Sequence, residues 1–293
     1  MYINAKIKVL FLVVHFCITI LGVRQCLLEE LRLRKYHKVK ACRRSQATIT
    51  SQTNVRDLSE CISYAREKKG LAFNFSPFYV KDSRINVHNC QVLGCPETAN
   101  LTTLVKDAAF DYYSSYGNYS ALDNSHCIKS IGMFRLIDVK ENYSTAIDQC
   151  QKLGGDLAHI LSESRTNALS NLVSNFVRDW YKVAFVGLDD TRREGLFETP
   201  LGDPITCYRF RAWGPGQPRN VMKSDDCVVL DSKKTWKVIS CSHTLPFLCE
   251  YYPSSAISGS YEDVDCDDLD DSEEQGECIT DKRKTNRIKR RCY

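Results

Sequence analysis

The residues that could do chemistry are scattered along this chain and do not gather into a catalytic pattern. Of the six histidines, His15 lies in an N-terminal apolar run, and His37, His88, His126, His159 and His243 show no metal-ligand spacing. No HExxH, GxSxG, phosphate-binding glycine loop or CxxC occurs, so no nucleophile, base and orienting acid can be assembled from motifs. Asp189 and Asp190 are adjacent carboxylates at the end of an apolar stretch. They suit a turn, or the remnant of a cation site, better than an acid/base pair. Enzymatic chemistry is not expected. Cysteine, by contrast, is dense: fifteen in 293 residues point to an oxidising compartment. Four Asn-x-Ser/Thr sequons, at Asn74, Asn100, Asn118 and Asn142, add the chemistry of N-linked glycosylation.

The N-terminus agrees with that compartment. Lys6 and Lys8 precede an apolar run over 9–21, and the small Gly22 follows. This is the order of a signal peptide, assigned to 1–24. Its removal takes away Cys17 and leaves fourteen cysteines, an even number. No later run approaches the ~20 apolar residues of a membrane helix, so a secreted chain without a membrane span is expected. A net charge of +4 hides uneven placement. Arg32, Arg34, Lys35, Lys38, Lys40, Arg43 and Arg44 form a basic strip, read as an exposed strand face or a polyanion contact. The stretch 262–277 is strongly acidic and holds Cys266 and Cys278, read as a local pair. The last residues turn basic, and Arg287 to Arg290 match a dibasic processing pattern. Nucleic acid is not an expected partner.

The elements that must position a site come next. In 26–117, Asp57 can cap a helix whose Leu58, Cys61, Ile62 and Ala65 share one face. Strands are expected at 71–75 and 89–93, and a helix cysteine facing a strand cysteine pairs Cys61 with Cys90. The pattern Ser-x-Cys61-Ile62, Ala72-Phe73-Asn74-Phe75 and Asn89-Cys90-Gln91-Val92-Leu93 resembles the PAN/apple family of small disulfide-rich interaction modules. The stretch around Tyr116–Ser125 is rich in Ser, Asn and Gly, and 118–125 reads as a linker. In 126–251, an amphipathic helix over 142–153 buries Ala146, Cys150 and Leu153 and closes on Gly154-Gly155. A short strand over 156–160 and a second helix over about 163–180 follow.

Phe185-Val186-Gly187-Leu188, Trp213-Gly214-Pro215-Gly216-Gln217-Pro218, Asp226-Cys227, Trp236 and Phe247-Leu248-Cys249-Glu250 then occur in an order that resembles the C-type lectin-like domain. That resemblance implies the bridges Cys150–Cys249 and Cys227–Cys241, and a core position for Trp213 and Trp236. The second bridge closes a step of 14 residues and contributes roughly 2–4 kcal/mol in a chain-entropy model. Cys127 and Cys207 have no family partner and pair with each other or outside the domain. Connectivity stays open for Cys26, Cys42, Cys95, Cys127, Cys207 and Cys292, and a disulfide-linked dimer is one outcome.

The resemblance also implies a calcium that bridges protein and sugar, held by oxygens around a cis-proline, before the third cysteine and after a tryptophan. Those positions fall on Gln217, Arg219, Asp225, Lys237 and Val238. Gln217 and Asp225 offer oxygen, but arginine and lysine are donor-only cations and valine has no polar group. At ~4 Å each cation repels a divalent ion by on the order of 2 kcal/mol even in bulk water. The classical calcium-dependent sugar site is therefore expected to be absent. A slipped register using Asn220 or Asp226 is the rescue. Arg209, Arg211, Arg219 and Lys223 rim the long loop and suit an acidic glycan or protein surface.

The expected architecture is α+β. A C-type lectin-like fold of two helices, antiparallel sheets and a long loop region occupies 126–251. It follows a small disulfide-rich α+β module resembling PAN/apple at 26–117 and precedes an acidic-then-basic flexible tail at 252–293. The expected function is extracellular binding or adhesion toward protein or glycan ligands. The alternative is a calcium-dependent lectin of innate defence with a shifted site.

Overall fold

The computed structural model describes residues 34–77, 88–98, 101, 103–117, 122, 124–219 and 225–253. The described residues divide into two units, one built on Arg34–Arg135 with residues 251–253, the other on Leu136–Glu250. The segments 1–24 and 262–293, with Cys26, Cys266, Cys278 and Cys292, lie outside the described residues, as does most of 118–125.

In the first unit, Asp57 caps helix α1 (Leu58–Glu67) by accepting the Glu60 N–H through its side chain, an interaction typically worth about 1 kcal/mol. Cys61 and Ala65 on that helix are buried, with Leu58 and Ile62 packed beside them. The sheet beneath contains β1 (His37–Lys40), β3 (Ile49–Thr53), β4 (Ala72–Phe75), β5 (Cys90–Leu93) and β7 (Asp111–Ser114), in the order β1-β7-β4-β5-β3. A separate pair joins β2 (Arg43–Ser45) to β6 (Leu104–Lys106). Alternation along the strands sends Phe73, Phe75, Cys90, Val92 and Tyr113 to the helix. Ala72, Leu93 and Tyr112 face the other way. Phe73 and Tyr113 stack with centroids 4.8 Å apart, and the Cys61–Cys90 disulfide ties helix to sheet.

The same alternation decides the fate of a sequon. Asn74 pairs with Gln91 on one side and Tyr112 on the other, and it has no exposed surface. Its amide nitrogen donates to the Ser45 carbonyl at 3.0 Å and to Gln91 Oε1 at 3.2 Å. The expectation of a glycan at Asn74 is corrected here, because the nitrogen that would carry it is sealed under β2. Asn100 and Asn118 lie outside the described residues.

Strand β8 (His126–Ile128) pairs with the start of β9 (Gly132–Glu141). Both segments belong to the first unit up to Arg135. Cys127 is bonded to Cys95, so its pairing with Cys207 is excluded. Cys42 and Cys207 are disulfide-bonded as well.

The second unit continues from β9 into α2 (Tyr143–Lys152), β10 (Gly155–Leu157), α3 (Glu163–Phe176), β11 (Val183–Asp189), β12 (Cys227–Asp231), β13 (Trp236–Ile239) and β14 (Leu245–Tyr251). Its sheet runs β13-β12-β11-β14-β9, with β10 paired to β14. The β11–β12 and β12–β13 ladders are antiparallel, whereas β11 meets β14 in parallel at Phe185 and Phe247. Asn142 caps α2, and Gly154, at a φ of +82°, turns the chain out of it. Tyr143, Ala146 and Cys150 of α2 pack with Leu157, Phe185, Val229, Phe247 and Cys249. Leaving water contributes about 1.5–3 kcal/mol for each fully buried phenylalanine. The disulfide Cys150–Cys249 joins α2 to β14, and Cys227–Cys241 closes the β12–β13 end.

Gly187 has a specific reason to be glycine. A Cβ there would stand 2.3 Å from the Leu157 carbonyl oxygen and 2.6 Å from Pro200. Helix α3 stops at Phe176, earlier than expected: Val177 leaves helical space at a ψ of 120° and is buried. The residues that follow are therefore surface turn, with Trp180 93% and Tyr181 83% exposed. Among the described residues, no helix is long and apolar enough to cross a membrane.

Candidate functional site

The long loop between β11 and β12 is held down by an aromatic cluster. Trp236, on β13, has no exposed surface, and its indole N–H donates to Thr166 Oγ1 at 3.1 Å. Trp213 meets it edge-on at 5.4 Å, Phe210 meets it at 5.6 Å, and Phe197 lies 5.1 Å from Trp213. Backbone bonds Gly214 N to Trp236 O and Trp236 N to Ala212 O fix the loop against β13. Trp213 is only half-buried, a correction to its expected core position. One edge of it lines a groove of about 330 Å³ shared with Asp190, Phe197, Ile205, Arg211 and Pro218.

That frame carries Gln217 to its place. The Gln217–Pro218 peptide is cis. Gln217 Oε1 accepts the Val238 N–H at 2.9 Å and the Arg219 N–H at 3.3 Å. A carboxamide oxygen has two lone pairs, and both face the protein's own backbone. Gln217 is thus a clamp between the loop and β13. Val238 itself is 6% exposed and contributes an isopropyl group to the sheet.

Lys237 turns away from Gln217 to Asp231, with Nζ 2.9 Å from Oδ2. Asp231 also accepts Thr235 Oγ1 at 2.7 Å and the Thr235 and Lys233 N–H groups, each at 2.9 Å. Burial raises this carboxyl, but the Thr235 bonds and the Lys237 ammonium outweigh it and hold it below the usual carboxylate range.

Of the expected basic rim, Arg209, Arg211 and Arg219 are exposed. Arg211 also donates to the Ile205, Tyr208 and Phe210 carbonyls at 2.6, 2.8 and 2.7 Å. Its guanidinium braces the loop, and burial pulls its pKa below the usual value. Asn220 and Lys223 lie outside the described residues.

On the acidic side, Asp190 accepts the Gly195 N–H through its side chain at 2.8 Å, and its own N–H donates to the Asp226 carbonyl. Burial first, then Glu194, Asp225 and Asp189, raise the Asp226 carboxyl. Among the described residues, no three His, Cys, Asp or Glu side chains are grouped to hold a metal ion. Of the five positions that the resemblance assigns to a sugar-bridging calcium, Gln217 gives its oxygen to backbone donors, Arg219 and Lys237 are cationic, Val238 is apolar, and Asp225 carries a carboxylate.

A separate cluster was not visible in the sequence. Arg165 forms an ion pair with Glu250, and His159 Nε2 lies 4.0 Å from the same carboxylate. Burial, then Arg165, push His159 well below its ordinary value, so it is neutral in the fold. The only sequence signal was Glu250 in the closing motif.

Residues 139–251 match the lectin C-type domain family. This segment is similar to C-type lectin domains. Bovine collectin-11 is 32% identical over 119 residues, covering 41% of this chain and 43% of that protein. The mannose-binding protein of Gallus gallus is 33% identical over 102 residues, 34% of this chain and 37% of that protein. The chain thus spans about two fifths of the length of the curated relatives it matches. Among solved structures, the carbohydrate-recognition domain of cow CD23, determined in the presence of a GlcNAc2Man3 oligosaccharide, aligns at 19% identity with a TM-score of 0.39. It covers 45% of this chain and 96% of that one. Human lithostathine aligns at 21% identity with a TM-score of 0.40, covering 44% and 98%.

Proposed function

We propose that the protein is an extracellular binding protein, not an enzyme, whose lectin domain engages a glycan or protein ligand without the classical calcium-bridged sugar site. The observation that carries this reading is the double hydrogen bond at Gln217 Oε1. The oxygen that a bridging metal would need already closes the loop onto β13. Collectins and a mannose-binding protein among the relatives favour a soluble, recognition-type role. Exposed Arg209 and Arg219 favour an acidic ligand. The first unit, with its helix stapled to a sheet by Cys61–Cys90, supports a second interaction module resembling PAN/apple. A glycan array probed with the secreted full chain, with and without EDTA, tests the reading. Binding that survives EDTA is expected, with preference for sulfated or sialylated glycans. Binding abolished by EDTA overturns it.

A second reading has one observation in its favour. Burial, and after it the neighbouring carboxylates of Glu194, Asp225 and Asp189, raise the Asp226 carboxyl, and a shifted calcium would relieve the part that is repulsion. EDTA-sensitive binding lost in Asp226→Asn but kept in Gln217→Ala would select this reading.

A further inference from the structure

We infer that Asn142 is a site of N-linked glycosylation and that Asn74, which carries the same tripeptide signal, is not. The inference rests on the extracellular reading above, since the modification belongs to the secretory route. A glycan is carried by the side-chain amide nitrogen, so the two sequons can be compared atom by atom.

At Asn142 the fold uses only the carbonyl oxygen. Oδ1 accepts the Thr145 N–H at 2.9 Å, the bond that caps α2, and the Ser144 hydroxyl at 2.9 Å. The amide nitrogen makes no hydrogen bond to any of the described residues. Asn142 is half-buried at the lip of an open groove of about 470 Å³, whose walls include Tyr143, Ser144, Asp189, Thr191 and Ser242. A sugar on Nδ2 leaves both bonds to Oδ1 in place, so capping and glycosylation are compatible at one side chain. At Asn74 the nitrogen donates to Ser45 O and Gln91 Oε1, the oxygen accepts from Ser45 N at 2.9 Å, and nothing is exposed. A sugar there would replace a bonded hydrogen and wedge between β4 and β2, so a chain glycosylated at Asn74 would not reach this fold.

The reaction is a transfer from a lipid-pyrophosphate-linked oligosaccharide, the donor of the secretory route. The Asn142 Nδ2–C1 bond forms as the C1–O bond to pyrophosphate breaks. The lipid pyrophosphate leaves with that electron pair, and the amide nitrogen gives up one proton.

The test uses the full chain secreted from cultured eukaryotic cells. Peptide mapping after enzymatic glycan release in ¹⁸O water converts a glycosylated asparagine to ¹⁸O-labelled aspartate. Label at Asn142 and unlabelled Asn74 are expected. Ser144→Ala removes the sequon but keeps the Thr145 cap bond, so it should lose one glycan on a gel with its circular dichroism unchanged. Secreted protein with a bare Asn142, unchanged mobility of Ser144→Ala, or label at Asn74 overturns the inference while leaving the extracellular reading intact. A chain retained in the cytosol with all four sequons bare overturns both.

Discussion

Replacing Gln217 with alanine removes the acceptor of two backbone N–H groups, and the two losses are unequal. Arg219 is exposed, so water takes over its N–H at little cost. Val238 is 6% exposed on β13. Its N–H, left without Gln217 Oε1 at 2.9 Å, becomes a shielded and unsatisfied donor, which costs about 1–3 kcal/mol. For a unit of this size that corresponds to a melting temperature lowered by about 4–12 °C. The assay is differential scanning calorimetry of wild type, Gln217→Ala and Gln217→Glu, each in EDTA and in millimolar calcium. Gln217→Glu keeps an acceptor oxygen facing Val238 and should melt close to wild type. The drop for Gln217→Ala should be the same with and without calcium. The reasoning is refuted if Gln217→Ala melts like wild type in EDTA but lacks a stabilisation that wild type gains from calcium.

Three further outcomes follow from the same structure. Cys150–Cys249 closes a separation of 99 residues and Cys227–Cys241 one of 14. Chain entropy therefore predicts a loss of about 4.7 kcal/mol for the double alanine variant of the first and about 3 kcal/mol for the second; denaturant titration ranks them, and the reverse order would contradict it. His159 has a folded pKa below its unfolded value, so the unfolded chain binds the extra proton as pH falls below about 6.5. Stability should fall on acidification from there, by up to about 1.4 kcal/mol per pH unit. His159→Gln should flatten that slope in urea titrations between pH 7 and 5, and an unchanged slope counts against the buried neutral imidazole. Trp236→Ala should cost about 3–5 kcal/mol. Trp180→Ala, at 93% exposure, should stay within about 0.5 kcal/mol; equal effects in thermal unfolding would mean the burial pattern is misassigned.

Helices α1 and α2 were legible because their signals are local. Asp57 and Asn142 cap by reaching three residues along the chain, and their buried faces repeat at helical spacing. The end of α3 was less legible, since a helical pattern carried through to Trp180 reads the same until Val177 turns inward. Burial of Asn74 depends on the register that sets it between Gln91 and Tyr112, and a sequon carries no information about register. The clamp at Gln217 depends on a strand 21 residues away. The cation at 219, the cation at 237 and the valine at 238 were readable as poor metal ligands, but where the glutamine oxygen points was not. That Arg211 also braces the loop was not legible, because its three carbonyl partners exist only once the loop has folded back on itself. Cysteine spacing left several partners open to Cys127, and chain folding brought Cys95 to it.

The Gln217 side-chain oxygen is already engaged by backbone, and isothermal titration of calcium into the secreted full chain tests the consequence most directly. Wild type and Gln217→Ala should give the same isotherm, and adding a monosaccharide such as mannose or galactose should leave it unchanged. A calcium heat that disappears in Gln217→Ala and tightens with sugar would contradict the account and place the metal on that side chain.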